Sequence, residues 1–260
     1  MDMDKYEIFK KDVNRLINID LDYYKEKQMK RRISSLLTRN NFKDFDDYFL
    51  GLKEDKLLLE QFINYLTINV SEFYRNPSQW TVLENNIIPA LIDNNKRGLK
   101  IWSSACSTGE EPYSLVMMLS NFFPLKDIKV LATDIDEEAM NKAKVGLYSE
   151  KSLANLPKGF KEKYFTRIEG SYKISDEIKK CVEYKKMDLL KDRFPTNIDL
   201  ITCRNVMIYF TEEAKELLYS KFYNSLNDKG ILFVGSTEQI IMPEKHKLKA
   251  AKTFFYEKIV

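Results

Sequence analysis

Histidine is almost missing from this chain: its 260 residues contain one, His246, in the polar stretch PEKHKLK. That scarcity excludes Ser-His-Asp hydrolysis, Cys-His nucleophilic catalysis and His-rich metal centres, each of which needs an imidazole at the reacting or ligating position. His246 itself reads as a surface loop residue. Cysteine is sparse too. Cys106, Cys181 and Cys203 are odd in number and lack paired spacing, which argues against a disulfide framework or zinc cluster and for buried free thiols. No metal is expected. Long apolar runs are also lacking, since no stretch of about 18 residues, enough to cross a bilayer, is free of charge. The opening MDMDKYEIFKKD has neither the basic nor the apolar region of a secretion signal, so a soluble cytoplasmic chain without membrane insertion is expected. Nor does one charge dominate. Lys and Arg total 42 against 39 acids, and the net +3 does not suggest a general nucleic-acid binder.

Glycine is short where a nucleotide loop would need it. The turn ACSTGEEPYS, residues 105–114, lies between apolar LKIW and LVMML, yet it carries only Gly109 and follows it with two glutamates. A dinucleotide site calls for G-x-G-x-x-G there, because the backbone must approach a pyrophosphate at a helix N-terminus. Glu110 and Glu111 would repel that pyrophosphate. The turn suits a cationic ligand, or one that offers hydroxyl and amino donors. S-adenosyl-L-methionine answers that description: it has an ammonium, a sulfonium, two ribose hydroxyls and an adenine amino group, and no phosphate.

What is present falls into two patterns. Residues 1–67 read as helices (YEIFKKDVNRLINI, DYYKEKQMKRRISSLLTRN, FDDYFLGL and DKLLLEQFINYLTI) separated by Asp, Asn and Gly at capping positions. In the second of these, Met29, Ile33, Leu36 and Leu37 make an apolar stripe, with Lys25, Gln28, Arg32, Ser35 and Arg39 on the opposite side. From residue 99 onward, short apolar runs (LKIWS, IKVLAT, CVEYKKM, IDLITC, GILFVG) alternate with helical stretches. That alternation predicts a parallel sheet covered on both faces. The last run, TFFYEKIV, is expected to return antiparallel at the sheet edge. Residues of about 149–180 are too many for a simple crossover and predict an inserted β-subdomain, with a hairpin turning at Glu169-Gly170.

In an open parallel sheet, ligands sit beyond the carboxyl ends of the strands. Those ends here are Ala105–Glu111, Thr133–Asp136, Asp188-Leu189 and Arg204–Val206. Asp134 is placed to accept from ribose hydroxyls and Asp188 to reach an adenine edge. Asp136, leading into EEAMNKAK, is better read as a helix N-terminal acid.

Four segments in order, TINVSEFYRN, SACSTGEEPYS, LATDIDEEAMNKA and ITCRNVMIYF, resemble the chemotaxis receptor methyltransferase family, CheR, and the resemblance extends over nearly the whole chain. It implies a class I S-adenosylmethionine-dependent methyltransferase fold: a Rossmann-like doubly wound sheet with an antiparallel edge, preceded by a small all-α domain. The implied division is 1–67, a receptor-docking helical domain; 68–98, a linker and helix contributing to the cofactor site; and 99–260, the methyltransferase domain. The implied activity is methylation of glutamate side chains on methyl-accepting chemoreceptors, leaving S-adenosyl-L-homocysteine. Matched motif by motif, the family's cofactor contacts fall on Asn69, Ser71, Arg75, Glu111, Asp134, Asp188, Leu189, Arg204 and Asn205. Arg75 and Tyr209 match positions acting near the methyl group. Ser71 and Asp188 stand where some relatives carry Thr and Asn, and both replacements keep an acceptor.

This chemistry explains the scarce histidine, since a carboxylate nucleophile with a pKa of about 4.3 needs no general base at neutral pH. The cationic residues from Lys25 to Arg39, including Arg31 and Arg32, suit docking to acidic receptor helices, although a solvated helix face is the commoner fate of such a run. The hairpin loop RIEGSYK is short beside the peptide-capturing loop of some relatives, so the resemblance is to the type that does not use a receptor pentapeptide tether. A monomer recruited to receptor arrays is expected. Three other readings stay open on the residues alone: a nucleic-acid methyltransferase, a non-catalytic S-adenosylmethionine sensor and, weakest, a nicotinamide dehydrogenase.

Overall fold

The structure, a computed structural model, describes residues 2–67, 69–95 and 98–259. Ile68, Lys96 and Arg97 of the expected linker lie outside the described residues, as do Met1 and Val260 at the ends of the expected domains. The chain divides into two compact units, Met1–Ile68 with Ile208–Glu216, and Asn69–Met207 with Leu217–Val260.

The first unit is helical: α1 (Asp2–Ile17), α2 (Glu26–Arg39), α3 (Phe45–Glu54) and α4 (Lys56–Thr67). Asp44 starts α3 by accepting from the Asp46 and Asp47 amides, and Asp55 does the same for α4 through Leu57 and Leu58. The stripe read from α2 is the buried one: Met29, Ile33, Leu36 and Leu37 all face the core. Phe9 lies at its centre, ringed by Phe45, Tyr48, Phe49 and Phe62. Ile208–Glu216, distant in sequence, pairs here. The Thr211 amide donates to the Tyr23 carbonyl, Lys25 donates to the Tyr209 carbonyl, and Phe210 meets the Tyr24 ring edge-on at 5.1 Å.

The second unit begins with α5 (Pro77–Val82), which runs through a π turn at Leu83–Ile87 into α6 (Ile88–Asn94). Pro89 lacks the amide that would continue the α-helical ladder, which accounts for the widened turn just before it. Then come β1 (Ile101–Ser103), α7 (Glu110–Leu119), β2 (Val130–Asp134), α8 (Glu137–Val145), β3 (Leu147–Tyr148), α9 (Phe160–Tyr164), β4 (Phe165–Ile168), β5 (Ser171–Ile174), α10 (Asp176–Lys179), β6 (Val182–Lys186) and β7 (Ile198–Cys203). The chain ends with α11 (Glu212–Ser225), whose first turns belong to the helical unit, β8 (Leu226–Val234), β9 (Leu248–Lys252) and β10 (Phe255–Lys258).

The main sheet has the order β6-β2-β1-β7-β8-β10-β9. Its first five strands are parallel, as the alternation of runs predicts. All residues of β1 and β7 are buried, and so is every residue of α7. TFFYEKIV does return antiparallel, but one place in from the edge, because β9 pairs outside it. The inserted β4–β5 hairpin turns at Glu169 (φ 46°) and Gly170 (φ 83°), the two left-handed residues of a type I′ connection, and β3 pairs with β5 as a third strand. His246 sits half-buried in a short turn with its ring 4.6 Å from that of Tyr219, and the three cysteines are buried thiols.

Candidate functional site

The turn after β1 is stitched to both neighbouring strands: the Ser104 amide donates to the Thr202 carbonyl and the Cys106 amide to that of Thr133. Gly109 is obligatory at its foot. It has φ 93°, and a Cβ there would lie 2.7 Å from the Ala143 Cβ and 2.8 Å from the Tyr184 hydroxyl. The turn's crown is held from the next strand end, where Asp134 accepts from the Ser107 amide at 2.7 Å and from the Asp136 amide at 2.9 Å. Burial pushes the Asp134 carboxyl up to about 6, against the pull of those amides. Burial likewise pushes up the Cys106 thiol in this turn, with Asp134 and Glu111 adding to the effect, which leaves it a packing group rather than a nucleophile.

Asp136 is the cap of α8, accepting from the Ala139 amide at 3.0 Å. Its other oxygen accepts from the Asn69 amide group at 2.6 Å, and the Asn69 carbonyl oxygen accepts from the Ser107 hydroxyl at 2.8 Å. Asn69 thus ties together the turns after β1 and β2. Glu110 is buried at the start of α7 and takes hydrogen bonds from the Thr108 hydroxyl, the Ser71 hydroxyl and its own amide. It therefore serves the helix N-terminus and also fixes the segment before α5.

Glu111 has its partners inside the protein. One carboxylate oxygen accepts from the hydroxyls of Ser103 (2.8 Å) and Thr202 (2.5 Å), and the other lies 3.3 Å from the Arg204 guanidinium. Arg204 is itself buried over the faces of Phe233 and Trp80. Its second nitrogen donates to the Arg75 carbonyl at 2.7 Å and to Gln79 at 3.0 Å. Burial draws the guanidinium pKa down and Glu111 draws it back up. The Arg75 side chain donates to the Val70 carbonyl at 3.1 Å.

After β6, Asp188 accepts from the Leu190 amide, and burial pushes its carboxyl up. The Leu189 carbonyl accepts from Lys221 at 2.6 Å. After β7, Asn205 adopts φ 60° and its amide donates to Glu238. Tyr209, by contrast, belongs to the helical unit, where its carbonyl accepts from Lys25. On α2, Arg31 and Arg39 are exposed, whereas Arg32 is half-buried, stacks on Tyr65 at 4.5 Å and donates to the Tyr65 carbonyl. Arg32 is thus fastened to α4, whereas Arg39, whose guanidinium also lies over the Tyr65 ring at 5.5 Å, stays exposed.

Sequence reading passes over Ser103, Thr202, Gln79, Tyr148 and Glu238. Tyr148 donates to the Thr108 carbonyl at 2.7 Å, joining the small sheet to the first turn. Only Glu238 left a trace, as the acid following the fifth strand run GILFVG. Acceptors dominate the assembled strand ends: carboxylates at Glu111, Asp134 and Asp188, and one buried guanidinium already matched by Glu111. Each carboxylate oxygen has two lone pairs, so these groups retain capacity for a ligand's donors. The set fits the ammonium, hydroxyl and amino groups of S-adenosylmethionine. Among the described residues, no His, Cys, Asp or Glu group is arranged to hold a metal, and no helix is long and apolar enough to cross a membrane.

Two family models match this chain. One, described as the CheR methyltransferase SAM binding domain, matches residues 69–255, and the other, the CheR methyltransferase all-alpha domain, matches residues 4–67. The chain is 41% identical over 258 residues to a chemotaxis protein methyltransferase of Listeria innocua, covering 99% of this chain and 98% of that protein. It is 40% identical to one of Listeria monocytogenes with the same coverage. A third, of Borreliella burgdorferi, is 34% identical over 268 residues, 92% of this chain and 95% of that protein.

Proposed function

Since the chain belongs to the CheR methyltransferase family, S-adenosylmethionine-dependent enzymes of chemotaxis, we propose that it methylates glutamate carboxylates of methyl-accepting chemoreceptors, giving glutamyl 5-O-methyl esters and S-adenosyl-L-homocysteine. The observation that carries this reading is the acceptor-lined set of strand ends, with Asp134 and Glu111 held in place by the groups around them.

Bound S-adenosylmethionine supplies the electrophilic methyl group. Asp134 takes the ribose hydroxyls, Asp188 and Leu189 the adenine edge, and Asn69, Ser71, Arg75, Glu111, Arg204 and Asn205 the remaining polar groups. The substrate glutamate is already ionised, so the protein's task is alignment, which contributes up to about 7–11 kcal/mol in favourable cases. Arg75 and the Tyr209 hydroxyl orient the carboxylate by donating to it. Residues 1–67 dock the receptor through Arg31, Arg39 and Lys25, while Arg32 braces that face from within. Residues 68–98 complete the cofactor site. The enzyme works in the cytoplasm as a monomer at receptor arrays, without metal or pentapeptide tether.

Transfer of a radiolabelled methyl group to receptor membranes tests the reaction. The label is expected on receptor and to be released by mild base as methanol. Label that resists base would exclude the ester.

A further inference from the structure

Glu238 is buried at 7% exposure, although nothing in the methyl-transfer chemistry requires a further acid. A single carboxylate oxygen accepts from two amides that end adjacent parallel strands, Asn205 after β7 at 2.6 Å and Gly235 after β8 at 2.8 Å. Hydrogen bonds to a charged acceptor are shorter and stronger than neutral ones. The backbone they hold turns sharply, because Asn205 is at φ 60°, a left-handed conformation that asparagine tolerates better than most residues and that the two amide hydrogen bonds fix in place. Gly235 makes the arrangement possible. A Cβ there would stand 2.4 Å from the same Glu238 oxygen and 2.9 Å from the Asn205 nitrogen. Glu238 closes the turn by donating its own amide to the Gly235 carbonyl at 3.0 Å.

We infer that Glu238 is a positioning residue for methyl transfer, its carboxylate locking the Arg204-Asn205 turn into the geometry that holds the cofactor. The inference rests on the reading of Arg204 and Asn205 as cofactor contacts. Glu238 acts on that turn in two ways. It fixes the backbone that follows β7, and its negative charge joins that of Glu111 in offsetting the burial of the Arg204 guanidinium. With only one counter-charge, less of the desolvation cost of that buried cation would be offset. Glu238 touches no reacting atom, so its effect falls on affinity for the cofactor rather than on the receptor.

The test compares the full-length chain with Glu238→Ala, Glu238→Gln and Gly235→Ala. Calorimetric S-adenosylhomocysteine affinity is measured beside steady-state KM values and melting temperature. Glu238→Ala is expected to weaken S-adenosylhomocysteine binding about 10- to 100-fold, as loss of charged hydrogen bonds implies, and to raise KM for S-adenosylmethionine in parallel. KM for receptor stays within about twofold. Glu238→Gln keeps an acceptor oxygen but not the charge, so it loses about 3- to 10-fold. Gly235→Ala, which displaces the carboxylate, follows Glu238→Ala. A folded Glu238→Ala with a lowered melting temperature but wild-type affinity and KM would overturn the assignment, since a purely structural role predicts that pattern. Where Glu238→Ala fails to fold, wild-type affinity in Glu238→Gln overturns it instead. A wild-type chain that binds no S-adenosylhomocysteine overturns the cofactor reading, and this inference with it.

Discussion

Burial and hydrogen bonding oppose each other at Asp134, and burial wins. Its carboxyl titrates near 6 when folded, against an ordinary 3.8. A raised folded value means that this group favours the folded state fully below the unfolded pKa, and that the contribution is lost as pH rises through about 6. The difference of roughly 2 units corresponds to about 3 kcal/mol. Donor hydroxyls prefer the ionised carboxylate, so S-adenosylhomocysteine affinity is expected to climb between pH 5 and pH 7 with a midpoint near 6. Calorimetry across that range measures it, with Asp134→Asn expected to flatten the profile; a wild-type profile that is already flat would refute the role. The sequence shows where such a residue stands, because an acid after a strand run is a local pattern. It does not show that Glu111 is matched from within, because two of its partners, Thr202 and Arg204, lie 91 and 93 positions away and only the sheet brings them together.

Among the elements, α2 shows what periodicity captures and what it misses. Helical spacing identifies its buried stripe correctly, yet it does not show that Arg32 is half-buried and bonded to the Tyr65 carbonyl while Arg39 overlies the same ring and stays exposed, since a projection of one helix contains no information about the next. The two kinds of arginine should therefore separate by experiment. Arg31→Glu with Arg39→Glu is expected to lower receptor methylation tenfold or more and weaken its salt dependence, with cofactor affinity unchanged. Arg32→Ala is instead expected to cost about 1–3 kcal/mol of stability in denaturant titration. Equal methylation kinetics in the double variant would remove α2 from docking. Strand β9 was illegible for a different reason. LKAAK lacks β-branched and aromatic residues, and it is extended because β10 offers it a partner. The β4–β5 hairpin was legible because alternation and a Glu-Gly turn are both local.

For the molecule as a whole, the alternation of runs identified the parallel sheet, but it could not order the strands. β1, first in the chain, lies between β2 and β7 because later strands add on both sides. The carboxyl ends of β2, β1 and β7 consequently lie side by side, and a ligand spanning them couples to global stability. At about 100 times its dissociation constant, S-adenosylhomocysteine should contribute about 2.7 kcal/mol. A melting-temperature rise of roughly 5–10 °C is expected by scanning calorimetry, and a shift below about 1 °C would contradict binding there.

The nine residues Ile208–Glu216 give the helical unit a history as well as a shape. Its four helices leave the ribosome early, but the strand-like pairing of Tyr23, Tyr24 and Lys25 has no partner until Tyr209, Phe210 and Thr211 have been made. In between, the whole of β1 through β7 must emerge. The N-terminal unit is therefore finished only after most of the sheet that follows it, and a gene cut after residue 67 would encode all four of its helices without their closing segment.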